Sequence, residues 1–92
     1  MRTIEFSDTA IDQLNAAVSY YDTEQVGLGA YFVADLERLL ARVCIFPKSC
    51  RESKSGSQVG ITAKFKYKVQ YKFDENRVVV HGLWHPARNI EI

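Results

Sequence analysis

Polar and apolar side chains alternate without a break from Lys64 to Phe73, in the run K-F-K-Y-K-V-Q-Y-K-F. A period of two is that of a β-strand, whose successive side chains point to opposite faces. Phe65, Tyr67, Val69, Tyr71 and Phe73 are therefore expected on one surface, and Lys64, Lys66, Lys68, Gln70 and Lys72 on the other. The short Asp74-Glu75-Asn76 break and the apolar run from Arg77 to Trp84 predict a second strand, joined to the first as an antiparallel hairpin.

Upstream, the period changes. Arg2 to Phe6 alternates and reads as a short first strand. Ser7 or Asp8 then suits a helix N-cap, because a short side-chain oxygen satisfies an orphan N–H of the first turn. Ala10, Ile11, Leu14, Ala17, Val18 and Tyr21 recur at steps of three and four, predicting an amphipathic helix that breaks over Asp22 to Gly27. A second helix is predicted from Leu28, Phe32, Leu36, Leu39, Val43 and Phe46, with Asp35, Arg38 and Arg42 on the opposite side and Pro47 marking its end. Pro47 to Gly60, rich in Ser, Gly and charge, has no periodicity and reads as a mobile loop.

The order strand, helix, helix, then two or three strands implies one α+β domain, β-α-α-β-β(-β). It is expected to form a two-layer sandwich, with an antiparallel helical hairpin on a largely antiparallel C-terminal sheet. The aromatic face of Phe65, Tyr67, Tyr71 and Phe73 is the expected floor for Phe32, Leu36 and Leu39, each worth about 1.5–3 kcal/mol when buried. Because rings and lysines point to opposite faces, the strand is a poor base-stacking platform, although a lysine face can still meet phosphates. Glycine at position 82 leaves the register beyond it open, since a bulge there would redirect His85.

The chain has 92 residues, 47% hydrophobic and 25% charged, as expected of one globular domain. No apolar run is long enough to cross a bilayer and Met1 to Glu5 lacks a signal-peptide stretch, so the expected compartment is the cytoplasm. Cys44 and Cys50 have no metal-ligand spacing and are expected to be reduced thiols, with Cys44 in the core. Neither a glycine-rich phosphate loop nor a Cys/His cluster is present, so no cofactor and no metal are implied. The net charge of +1 conceals an asymmetry: residues 1 to 46 carry −4 and residues 47 to 92 carry +5. That polarity suits an acidic partner, nucleic acid or an acidic protein segment, and equally a solvated lysine face.

The order of these elements, together with Lys64-Phe65-Lys66-Tyr67, Tyr71 and the terminal His85-Pro86-Ala87-Arg88, resembles the RelE/ParE superfamily of toxins from bacterial type II toxin–antitoxin modules. The resemblance runs over nearly the whole chain. Members commonly read Arg-x-Phe-Pro-Tyr before the hairpin and His-x-x-Arg after the last strand; here Lys64, one position after the place of the Arg, supplies the positive charge, and Lys66 stands in place of the Pro. It implies a growth-inhibiting toxin and a cognate antitoxin whose acidic tail wraps it in a hetero-oligomer, adding a helix to an apolar groove or a strand to the sheet edge.

The superfamily has two modes of action. ParE-like members poison DNA gyrase by protein contact, whereas RelE-like members cut messenger RNA on the ribosome. Cleavage needs a base for the 2′-hydroxyl, an acid for the leaving oxygen and cations for the transition state. For the nuclease reading the candidates are His85 and His81 as acid or base, sharing a face if the strand stays regular, with Lys64, Lys66 and Arg88 as clamps. For partner binding they are Lys64, Lys66, Lys68, Arg88, Tyr20 and Tyr31. The low net charge favours the gyrase reading, since a ribosome ligand gains affinity by neutralising many phosphates. A toxin fold that only binds its partner is the third reading.

Overall fold

A computed structural model describes residues 2–88, with the side chain of Arg88 outside the description. The first strand, β1, is Thr3–Phe6. Ser7 then caps α1 (Asp8–Glu24), its hydroxyl accepting the Ala10 N–H at 3.1 Å. The break between helices is shorter than the sequence implies: α1 runs on through Glu24, and Gly27, at φ +88°, leads into α2 (Leu28–Ile45). The Asp22 carboxylate accepts the Gly29 N–H at 2.8 Å, tying the two helices together at their junction.

Pro47–Gly60 is not the loop its composition predicts. It holds a 3-10 turn at Pro47–Ser49, the short strand β2 (Arg51–Glu52) and most of β3 (Gln58–Ile61). Ser57, Gln58, Val59 and Gly60 are buried. A side chain at Gly60 would meet the Cys50 sulfur at 2.8 Å and Leu39 at 3.2 Å, so glycine there lets α2 and Cys50 close onto the strand.

The expected strand Lys64–Phe73 is correspondingly shorter: β4 is Lys68–Phe73. Because Ile61 of β3 pairs antiparallel with Lys68 of β4, the six residues between them are consumed as the hairpin connection. The last strand, β5, is Arg77–Trp84, followed by a 3-10 turn at Pro86–Arg88. The sheet order is β1-β5-β4-β3-β2, with β1 parallel to β5 and the other pairings antiparallel.

The helical hairpin covers one face of this sheet, giving the two-layer α+β arrangement. Ala10, Ala17, Phe32, Leu36, Leu39 and Val43 meet Val69, Tyr71, Val78, Val80 and Leu83 in one buried cluster. The expected aromatic face is there: Phe32 lies 4.7 Å from the Tyr67 ring and 5.5 Å from Phe65, and buried Tyr71 donates its hydroxyl to the Pro47 carbonyl at 2.6 Å. Three helix assignments differ. Ile11 and Phe46 are exposed, and Asp35, expected on the outer side of α2, is only 1% exposed. Cys44 is buried and both cysteines are free thiols. Among the described residues no helix is long and apolar enough to cross a membrane.

Candidate functional site

The uncovered face of the sheet carries the polar half of the alternation. Lys68, Gln70 and Lys72 of β4 project there beside Val79 and His81 of β5, because their neighbours Val69, Tyr71, Val78 and Val80 point into the core. His81 Nε2 lies 3.0 Å from the hydroxyl of Ser57, which is 1% exposed. Burial, reinforced by the positive charge of Lys72, pushes the imidazole below its ordinary pKa, so His81 is neutral at neutral pH. Lys72, Asp74, Arg77, Val79 and His81 border a depression of about 420 Å³ on this face.

His81 and His85 do not share a face. Tyr71 pairs with Val80 and Gln70 pairs with Gly82, so His81 is the extra residue of a β-bulge. Beyond the bulge the side-chain phase reverses: Leu83, not Gly82, enters the core. A side chain at Gly82 would come within 3.2 Å of both Gln70 Oε1 and Trp84 Cζ3, which marks the glycine as the gap over which these two side chains close the open face. His85 is carried toward the opposite layer, its ring 5.4 Å from that of Tyr67, with Nδ1 accepting the Ala87 N–H at 3.1 Å.

Lys64 and Lys66 leave the open face as well. They sit on the β3–β4 connection, where Thr62 and Tyr67 close a loop through Thr62 N–H to Tyr67 O and Tyr67 N–H to Thr62 Oγ1, both 2.9 Å. Lys66 occupies the left-handed region at φ +60°, so a proline, fixed near φ −65°, would not fit this backbone. Asp35 anchors the loop to α2: its Oδ2 accepts the N–H groups of Lys64 at 3.0 Å and Phe65 at 2.8 Å. Burial pushes this carboxyl up, but those two N–H groups, the Thr62 hydroxyl and the Arg38 guanidinium outweigh it and hold the group below the ordinary carboxylate range. Among the described residues its Oδ1 has no hydrogen-bond partner, and it lies 3.7 Å from Arg38 Nη2.

The sequence candidates therefore fall into separate groups. Lys68 lies on the open face with His81, Lys64 and Lys66 lie on the latched loop, and His85 lies beyond the bulge. Tyr31, 70% exposed, and Tyr20, 42% exposed, sit on the helical hairpin. The Arg88 side chain is outside the described residues. Ser57 and Asp35 are the polar residues that periodicity did not single out for a site. For Asp35 a signal existed: position 35 is three after Phe32 and four before Leu39, inside the apolar stripe.

An apolar groove opens where α1 and α2 meet β1. Ile4, Phe6, Leu14, Val33, Leu40 and Cys44 line a volume of about 410 Å³. Among the described residues β1 pairs with β5 alone, so its other edge is free to accept a strand. The described residues contain no cluster of His, Cys, Asp or Glu that could hold a metal ion. No protein-family model matches this chain, and no curated protein sequence matches it.

Proposed function

We propose that this chain is the toxin of a bacterial type II toxin–antitoxin module of the RelE/ParE kind, inhibiting growth by protein contact with DNA gyrase. The bulge at His81 carries the choice of contact over cleavage. An acid and a base must converge on one phosphodiester, and His81 and His85 diverge onto opposite sides of the sheet while Lys64 and Lys66 stand on a separate loop. A protein contact needs no such convergence. The cognate antitoxin fits the groove over β1: an amphipathic helix supplies the apolar filling, and an extended segment supplies hydrogen bonds to the β1 edge. The site of action is then the cytoplasm, and the resting form is a toxin–antitoxin hetero-oligomer.

Uncontrolled expression in bacteria arrests growth on this reading, and co-expression of the neighbouring gene's product restores it. Purified protein blocks gyrase supercoiling and leaves ribosome-bound message intact. Message cut in the ribosomal A site with gyrase untouched overturns the assignment in favour of a RelE-like endoribonuclease. One observation favours that second reading: the open face holds a neutral imidazole, His81, with Lys72 beside it. Growth arrest absent altogether leaves the partner-binding reading, a toxin fold without a target.

A further inference from the structure

The β3–β4 connection is held at several points along its length. Its backbone is closed by Thr62 and Tyr67 and held to α2 by Asp35, and its rings are inserted among those of the helices: Phe65 lies 4.8 Å from Tyr21 and Tyr67 lies 4.7 Å from Phe32. What this framework presents outward is charge. The Lys64 and Lys66 side chains are exposed, and no hydrogen bond or ion pair among the described residues engages their ammonium groups. Along α2, Asp35 is flanked by Tyr31, one turn before it and 70% exposed, and by Arg38, one turn after it, whose side chain is 58% exposed. Two acidic groups near it are already engaged: Asp35 faces inward on the loop N–H groups, with Arg38 Nη2 3.7 Å from its Oδ1, and Asp22 accepts the Gly29 N–H.

We infer that Lys64, Lys66, Arg38 and Tyr31 form one pre-organised docking surface for an acidic surface of the target protein, separate from the antitoxin groove over β1. The inference rests on the gyrase reading and adds where the target binds. A loop already fixed by Asp35 loses little conformational freedom on binding, which is the main cost that a mobile basic loop would carry. Tyr and Arg are among the residue types enriched at protein interfaces, whereas three cations offer few phosphate contacts for a polyanion. The sheet-face lysines, Lys68 and Lys72, are outside this surface.

The test measures binding of the full chain to immobilised gyrase holoenzyme, with a single-stranded oligonucleotide as a second probe and thermal melting as a check on folding. Lys64→Glu/Lys66→Glu is expected to weaken gyrase binding about tenfold or more, as charge reversal at a complementary interface does, with melting unchanged. Lys68→Glu/Lys72→Glu is expected to bind gyrase as wild type does, and the oligonucleotide to bind neither the wild-type protein nor either variant. Undiminished gyrase binding by the loop variant, or equal loss in the sheet variant, overturns this inference alone. Oligonucleotide binding that disappears on loop reversal overturns it in favour of nucleic acid. Wild-type protein that leaves gyrase unbound overturns the gyrase reading and this inference with it.

Discussion

The segments 64–67 and 68–73 share one alternating pattern and adopt different backbones. In β4 the alternation is that of a paired strand, with Val69 and Tyr71 fully buried and hydrogen-bonded neighbours on both sides. In 64–67 the rings still enter the core, but the backbone turns, and its N–H groups are satisfied by an aspartate carboxylate and a threonine hydroxyl. Periodicity reports which side chains are buried. It does not report what pairs with the main chain, and a side chain 29 residues away can take the place of a neighbouring strand.

The largest losses are expected in the strand half. Tyr71→Ala removes a buried ring and its hydrogen bond to Pro47, and is expected to cost about 3–5 kcal/mol in chemical denaturation. Lys72→Glu, one residue along and on the open face, should stay within about 0.5 kcal/mol of wild type. Equal losses at the two positions would contradict the separation of faces.

In the loop half the sensitive residue is Asp35, not a ring. Asp35→Ala strands the Lys64 and Phe65 N–H groups and should cost about 2–3 kcal/mol, with hydrogen exchange rising first in residues 62–67. Its carboxyl is held below the ordinary range, so the folded state favours the ionised form. The stabilisation is complete above the unfolded value of about 3.9 and is lost as pH falls through the lower folded one. Asp74 is shifted in the same direction by the Asn76 and Arg77 N–H groups, so Asp35→Asn and Asp74→Asn should each flatten the acid limb of the stability profile relative to wild type. A smaller effect sharpens the same contrast at Lys66, where φ is +60°: Lys66→Gly should stabilise by about 0.5–1 kcal/mol, while Lys68→Gly in the strand should destabilise.

β1 and the two helices are legible in the sequence because each keeps a period with one apolar face, and β5 because it is an apolar run that follows a turn signal. β2 and β3 are not, since a four-residue strand such as Gln-Val-Gly-Ile, buried except at its last residue, carries no alternation and sits within a Ser- and Gly-rich stretch. Missing β3 is what lengthens β4 in the sequence reading: without a partner ending at Ile61, nothing indicates that 62–67 must turn back. At the site, the outward lysines are legible as charges but not as two groups. That division depends on the hairpin loop, and the divergence of the two histidines depends on a bulge set by cross-strand packing around Gly82.

The parallel pairing of β1 with β5 joins Thr3 to Arg77 and Phe6 to Val80. During synthesis the earliest strand therefore waits for the latest, and a nascent chain can assemble its helical hairpin and the β3–β4 hairpin without closing the sheet. Such distant pairing slows the final folding step, because the loop entropy is lost before the contact forms. A polypeptide broken off before residue 77 lacks the strand that β1 needs, so interrupted translation yields an open fragment instead of a smaller working copy.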